Sequence, residues 1–210
     1  MRKVIGSVFV SLDGVMQAPG GRGEDPADGF ELGGWLPQFF DEDAGKRVEE
    51  LFAGPFDLLL GRRTYDIFAG YWPNYGEGEH KWIAEAFDRA AKYVLTHADQ
   101  PLDWQNSHRV PSLDALADVK RGDGADLIIQ GSGTLYPQLL SAGLLDRLVL
   151  MTSPVILGSG KRLFGNGTPA RSMRVVEHQV TSGGNIIAAY EPAGDVELGS
   201  FDTDNRAQPS

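Results

Sequence analysis

The chain has 210 residues, of which 41% are hydrophobic and 23% charged, and its formal net charge is −10. This composition is typical of a globular protein and argues against both a disordered chain and a membrane protein. The net negative charge and the scattered basic residues argue against a nucleic-acid partner, because a polyphosphate backbone would be repelled. Without cysteine there is no disulfide, thiolate zinc site or thiol nucleophile. We therefore expect a cytoplasmic protein.

Five short apolar runs predict the strands of an α/β sheet. Each run is rich in Val, Ile and Leu and polar only at its ends, which favours strands covered on both faces. In chain order they are residues 3–12, 56–61, 92–96, 125–131 and 146–157. The first run is preceded by Arg2 and starts with Lys3, both basic, but Asp13 interrupts it and no small-residue cleavage site follows. We interpret it as a strand and not as a signal peptide.

Four helices are predicted between these strands, because apolar residues recur there at the spacing of one helix face. The segments are 44–52, which follows the acidic residues 41–43, then 82–90, 112–120 and 134–143. Ser112 is predicted to cap the third helix and Gly143 to end the fourth. Pro137 would lie in the first turn of the fourth helix, where a missing N–H is tolerated.

The C-terminal part predicts an antiparallel hairpin. Residues 173–180 and 185–192 flank a turn at Gly183 and Gly184, so the sheet is expected to be mixed. We predict one domain over residues 1–191 and interpret residues 192–210 as a flexible acidic tail. Residues 16–34 are too many for a simple connection and predict a lid or binding loop.

Two strand-to-helix turns are candidates for holding an anionic ligand. One spans 61–64 and carries Arg62 and Arg63, whose guanidinium groups and neighbouring helix N–H groups suit a phosphate. The other spans 131–134 and has two glycines, but Tyr136 stands where the third glycine of a dinucleotide fingerprint would be. Both would lie at the carboxyl ends of parallel strands, where α/β sheets bind ligands. Alternatively, the arginines pair with surface carboxylates and the glycines only form tight turns.

Six segments, in this order, resemble the dihydrofolate reductase superfamily, and more closely its stand-alone proteins similar to the reductase domain of bacterial riboflavin biosynthesis. They are SLDG (11–14), GGW (33–35), LLLGRRTYDIFAGYWP (58–73), KYVLT (92–96), IIQGSGTLYPQLL (128–140) and LVLMTSPVILGSGKRLF (148–164). The resemblance covers residues 1–191. It implies a mixed, mostly parallel central sheet flanked by helices, with NADPH as cofactor, a small-molecule substrate and a homodimer.

The resemblance also implies which residues bind the cofactor. The first turn would hold the adenosine-side phosphates, the residue after the third predicted strand would lie near the adenine ribose, and the glycine turn would lie under the pyrophosphate and nicotinamide. The matching residues are Gly61, Arg62, Arg63, Thr64, Thr96, Gly131, Ser132, Gly133, Thr134 and Leu135.

Asp13 and Asp41 are the candidate catalytic residues. In dihydrofolate reductases a carboxylate a few residues after a tryptophan binds the pteridine and assists protonation, and here Asp41 follows Trp35 at a similar but not identical spacing. Asp13, in SLDG, is typical of the riboflavin-type branch. The alternatives are that Asp13 bonds the backbone of its own turn and that Asp41 is a favourable charge at a helix start.

The resulting prediction is an NADPH-dependent reductase that transfers hydride to a small heterocyclic or ribosylamino substrate, similar to a pterin or flavin precursor. The alternative is a non-catalytic nucleotide- or ligand-binding dimer on the same fold, because a fold alone does not establish chemistry. No metal site is predicted, since His80, His97, His108 and His178 lack metal-ligand spacing.

Overall fold

A computed structural model describes residues 1–78 and 80–200. Their strands form one eight-stranded sheet with the order β4-β3-β2-β5-β1-β6-β8-β7. The strands are β1 (Val4–Ser11), β2 (Phe56–Gly61), β3 (Lys92–Leu95), β4 (Ser107–Val110), β5 (Asp126–Gln130), β6 (Arg147–Ser153), β7 (Met173–Val180) and β8 (Ile186–Pro192). The strands β1 to β6 are paired in parallel, whereas β8 is antiparallel to both β6 and β7. The predicted mixed, mostly parallel sheet with a C-terminal hairpin is confirmed.

Five α-helices connect or flank the strands: α1 (Glu42–Phe52), α2 (Arg62–Tyr71), α3 (Lys81–Arg89), α4 (Leu113–Arg121) and α5 (Leu135–Ser141). The predicted N-cap Ser112 accepts a hydrogen bond from the Ala115 N–H at 3.1 Å. Gly143 follows α5 with a φ of +65°, a conformation that glycine adopts without strain. The predicted helices are therefore present, and α2 continues directly from β2.

The strand β4 was not predicted from the sequence. Its four residues, Ser107–Val110, are mostly polar, and only Val110 is buried. The strand pairs with β3 and forms one edge of the sheet. A short edge strand with a single buried residue has no apolar run, so hydrophobic periodicity does not reveal it in the sequence.

The centre of the sheet is covered on both faces. Leu59 on β2 packs with side chains of α4 and α5, including Leu116 and Leu139. Its neighbours Leu58 and Leu60 point to the opposite face and pack with Phe52, Tyr65 and Phe87 of α1, α2 and α3. These β2 leucines have no solvent exposure, which explains the uninterrupted apolar run.

The C-terminal segment returns beside the start of β7. The Ala193 N–H donates to the Ser172 carbonyl at 2.8 Å, and the Ser172 N–H donates to the Gly194 carbonyl at 2.9 Å. Of the predicted tail, residues 201–210 lie outside the described part of the chain. Across residues 1–78 and 80–200, none of the helices has the length and apolar character needed to cross a bilayer.

Candidate cofactor and active site

The two strand-to-helix turns predicted as candidate phosphate sites are in direct contact. Leu58 of β2 pairs with Ile128 of β5, so Gly61 and Gly131, three residues further along each strand, leave the sheet at the same level. The Gly61 N–H donates to the Ser132 Oγ at 3.0 Å, and this bond is buried. The side chain of one turn therefore fixes the backbone of the other.

The glycine turn has a strained and crowded backbone. Gly131 has a φ of +79° and Ser132 a φ of +51°, a region that non-glycine residues seldom adopt. A Cβ atom at Gly133 would lie 2.5 Å from the Met16 Sδ. The absence of a side chain at position 133 therefore lets the 16–34 loop approach this turn.

The first turn begins α2 without a side-chain cap. The Arg62 guanidinium donates to the Asp66 carboxylate at 2.9 Å and to the Gln100 carbonyl at 3.0 Å. Arg109, on β4, donates to the same Gln100 carbonyl at 2.7 Å. Two guanidinium groups thus converge beside the start of α2, which is a favourable location for an anion.

The remaining predicted cofactor residues lie around these turns. Leu95 pairs with Gly61 across β3 and β2, so Thr96 is one residue beyond that level. Leu135 is buried, and its Cδ2 would lie 3.7 Å from a Cβ built at Gly61. Thr64 lies beside the glycine turn, because its Cγ2 would be 3.5 Å from a Cβ built at Gly131. Thr134 immediately precedes α5.

Arg63 is paired with a carboxylate of the 16–34 loop. Its Nη2 lies 2.6 Å from the Asp25 Oδ1, while the Lys161 Nζ lies 2.8 Å from the Asp25 Oδ2. Burial acts to raise the pKa of Asp25, but the hydrogen bonds from Lys161 and Ala27 and the charges of Lys161 and Arg63 together lower it. Asp25 is therefore ionised at neutral pH.

The 16–34 loop is held at its base by Gln17, which is buried. The Gln17 Nε2 donates to the carbonyls of Asp25 at 3.0 Å and Ala27 at 2.9 Å. The Gln17 Oε1 accepts from the Lys161 N–H at 2.9 Å, and the Gln17 carbonyl accepts from the Trp35 Nε1 at 2.9 Å. One glutamine thus joins the loop to the segment that follows β6.

Asp13 uses both carboxylate oxygens to hold the segment after β6. Oδ1 accepts from the Ser11 hydroxyl at 2.6 Å and the Leu157 N–H at 3.1 Å, and Oδ2 accepts from the Gly158 N–H at 2.9 Å. The Arg162 guanidinium lies 3.3 Å from Oδ2. The hydrogen bond from Ser11, with those from Leu157 and Gly158, lowers the pKa of Asp13 from 3.8 to about 2.

Asp41 is the N-cap of α1 and also binds the hairpin turn. Oδ1 accepts from the Ala44 N–H at 2.8 Å, and Oδ2 accepts from the Thr181 hydroxyl at 2.5 Å and the Gly183 N–H at 2.6 Å. Burial acts to raise the pKa of Asp41, but the hydrogen bonds from Thr181, Ala44 and Gly183 outweigh it and lower the pKa. The carboxylate therefore joins α1 to the β7–β8 turn.

Sequence reasoning did not single out Asp25, Lys161 or Arg109 as site residues. Lys161 follows β6, which is parallel to β1, so its position near the carboxyl edge of the sheet could have been inferred from the strand order. Asp25 lies in a long loop whose path no periodicity specifies, and Arg109 lies on the unpredicted strand β4. Among the described residues, no group of three or more His, Cys, Asp or Glu side chains is arranged to hold a metal ion.

The sheet order, with its C-terminal antiparallel hairpin, defines a dihydrofolate reductase-like α/β protein. The Enterococcus faecalis dihydrofolate reductase, solved with NADP(H), has a TM-score of 0.53 and 14% identity, and the likeness covers 90% of this chain and 96% of that one. A protein named for riboflavin biosynthesis from Shewanella sp. PV-4 has a TM-score of 0.62 and 19% identity, with 91% and 99% of the two chains covered.

The chain belongs to the family described as the RibD C-terminal domain, which matches residues 2–187. It is similar to the uncharacterized protein YyaP of Bacillus subtilis, with 25% identity over 192 residues, 90% of this chain and 94% of that one. The suspected superfamily is thus confirmed. Membership of the family, together with these structural neighbours, supports a reductase of this type.

Proposed function

We propose that the protein is an NADPH-dependent reductase that delivers hydride to a small heterocyclic or ribosylamino substrate. The observation that carries this proposal is the hydrogen bond between Gly61 and Ser132, which fixes two strand-to-helix turns side by side. The family match supports a reductase, and the neighbouring dihydrofolate reductase was solved with NADP(H). Both turns lie at the carboxyl edge of the sheet, where open α/β folds bind ligands.

The residues present fit a cofactor that carries phosphates. Gly131 and Gly133 provide a cradle without side chains, and a Cβ at position 133 would clash with Met16. Arg62 and Arg63 lie in the first turn of α2, whose N-terminus carries no side-chain cap. Both arginines are paired with a carboxylate, but with Lys161 and Arg109 beside them the cations outnumber the two paired carboxylates, in a chain with a net charge of −10. Thr96, near the level of Gly61, would lie by the adenine ribose.

The nicotinamide supplies the hydride, whereas the chain supplies alignment and protection from water. The glycine turn would orient the cofactor, and the 16–34 loop would cover it through Met16, which lies against Gly133. Holding two reacting carbons in a productive arrangement can contribute about 7–11 kcal/mol to lowering a barrier. Exclusion of water from the site would protect the transfer.

We assign the proton to water, because neither candidate carboxylate is suited to supply it. The pKa of Asp13 is about 2, and both of its oxygens accept hydrogen bonds from the chain. The pKa of Asp41 is also lowered, and its oxygens bind α1 and the hairpin turn. An efficient general acid has a pKa near the working pH, which these environments oppose. We propose structural roles for both residues.

The proposal is tested by titrating the purified protein with NADPH and NADH and following tryptophan fluorescence. We expect Arg62→Ala and Arg63→Ala to weaken NADPH binding. If one of these arginines contacts the 2′-phosphate, its alanine variant should bind NADPH and NADH with similar affinity. Arg89→Ala is the matched control, because Arg89 is an exposed arginine at the end of α3. If the wild type binds neither nucleotide, the proposed cofactor is wrong.

A non-catalytic ligand-binding protein is the second candidate. It is favoured by the engagement of Asp13 and Asp41 in structural hydrogen bonds. The enzyme and the binding protein are distinguished by measuring NADPH oxidation, through its absorbance, with pteridine and flavin-precursor substrates across a range of pH. Oxidation that depends on one of these substrates supports the enzyme. Tight NADPH binding without oxidation at any pH supports the binding protein.

A further inference from the structure

The Asp25 carboxylate occupies a two-cation site at the cofactor edge of the sheet. It lies between the Arg63 Nη2 and the Lys161 Nζ, and each of its oxygens contacts one cation. The Asp25 side chain is only 11% exposed, whereas the Arg63 and Lys161 side chains remain 59% and 38% exposed. The anion is therefore covered, and both cations still present donor groups to solvent.

The cations and the anion come from different parts of the fold. Arg63 is the second residue of α2, and Lys161 belongs to the segment after β6. Asp25 comes from the 16–34 loop, 38 residues from Arg63 and 136 from Lys161 along the chain. The Asp25 backbone is held by Gln17, but rotation of the Asp25 side chain would remove the anion, while α2 and the segment after β6 continue to position the cations.

This pair of cations suits a phosphate as well as a carboxylate. A phosphate group also offers two oxygens that can be shared between an arginine and a lysine, and arginine retains further donors in its planar fork. One carboxylate between two cations leaves one positive charge uncompensated, which a phosphate of greater negative charge would neutralise more completely. Removal of Asp25 would therefore leave a site selective for phosphate.

We infer that Arg63 and Lys161 form a phosphate subsite, and that Asp25 is an internal competitor for it. The inference rests on the proposed function and extends it, because it adds Lys161 to the site and makes phosphate binding displace a loop carboxylate. Because Asp25 occupies the subsite in most molecules, the apparent affinity for phosphate equals the intrinsic affinity multiplied by the fraction of molecules whose subsite is free. A latch that closes over a bound cofactor would instead require Asp25 for tight binding.

The test measures the affinity of wild-type protein and Asp25→Asn for inorganic pyrophosphate, NADPH, NADH and ribose 5-phosphate by isothermal titration calorimetry. We expect at least one of these ligands to bind about tenfold more tightly to Asp25→Asn. Lys161→Met and Arg63→Met, each combined with Asp25→Asn, should abolish the gain. Asp28→Asn is the matched control, since Asp28 is an exposed carboxylate of the same loop, and it should leave all affinities unchanged.

The ligand that gains affinity identifies the source of the phosphate. A gain for NADPH alone indicates the 2′-phosphate, equal gains for NADPH and NADH indicate the pyrophosphate, and a gain for ribose 5-phosphate indicates a substrate phosphate. Unchanged or weaker binding of all four ligands to Asp25→Asn would overturn the inference. If pyrophosphate gains affinity but NADPH binds neither protein, the subsite stands and the proposed cofactor fails. If NADPH binds both equally and nothing gains, only the subsite fails.

Discussion

Ser132, in the 131–134 turn, binds the backbone of the 61–64 turn through its side chain. Its φ of +51° lies in the left-handed region, where an L-residue is disfavoured by about 1–2 kcal/mol. Its hydroxyl accepts the buried Gly61 N–H. Glycine would adopt this backbone conformation more readily than serine. The serine hydroxyl, however, provides the hydrogen bond that fixes the two turns together, and this bond offsets the backbone strain.

Substitution of Ser132 separates these two effects. Ser132→Ala leaves the buried Gly61 N–H without its acceptor and should destabilise the protein by about 1–3 kcal/mol. Ser132→Gly also removes the acceptor but relieves the backbone, so we expect a smaller loss. Urea denaturation of the three proteins measures both differences. A Ser132→Ala variant as stable as the wild type would show that the bond makes no net contribution.

Asp13 predicts a pH dependence of stability. Its folded pKa, about 2, is below the ordinary value of 3.8. Its stabilising contribution is therefore complete above pH 3.8 and is lost as the pH falls through 2. The free energy of unfolding of the wild type should decrease more steeply over this window than that of Asp13→Asn. Parallel curves for the two proteins would contradict the structural role, and Asp28→Asn serves as the exposed-carboxylate control.

At the scale of elements, Asp41 joins a helix to a hairpin. Asp41→Ala should lose both the α1 cap, about 1 kcal/mol, and the bonds to Thr181 and Gly183. Ser112→Ala is the matched comparison, because Ser112 caps α4 through a single bond to Ala115. Chemical denaturation should therefore show a larger loss for Asp41→Ala. Equal losses would mean that the contact with the hairpin contributes little.

Elements with a dense buried face were predictable from the sequence, whereas those with polar contacts were not. The apolar run at 56–61 coincides with β2 because Leu58, Leu59 and Leu60 are all buried. The strand β4 gives no such pattern, since three of its four residues are Ser, His and Arg and only Val110 is buried. The strand β6 ends at Ser153, four residues before the predicted end at 157. The next residue, Pro154, has no backbone N–H to donate to the sheet.

For the whole molecule, the strand order determines which predicted residues meet. Parallel strands place the turns at 61–64 and 131–134 on one edge, and the sequence pattern predicted this common edge, whereas their direct contact depends on the pairing of β2 with β5. The Asp25 pairing did not, because it joins a loop to residues 38 and 136 positions away through side-chain charge alone. Long-range contacts of this kind leave no periodicity, so only the folded arrangement shows that Lys161 pairs with Asp25.

The outer edge of the sheet predicts the oligomeric state. Within the described chain β7 pairs only with β8, and its Val175, Val176 and Val180 are exposed by 51%, 39% and 68%. An edge strand with exposed β-branched residues is a template for pairing with another chain, and family resemblance implies a homodimer.

We expect sedimentation velocity to give twice the chain mass of 22.8 kDa. Val180→Lys should shift the protein toward the monomer, whereas Val196→Lys, at an exposed position beyond β8, should not. A monomeric wild type, or a Val180→Lys protein that keeps its dimer mass, would rule out this edge as the interface.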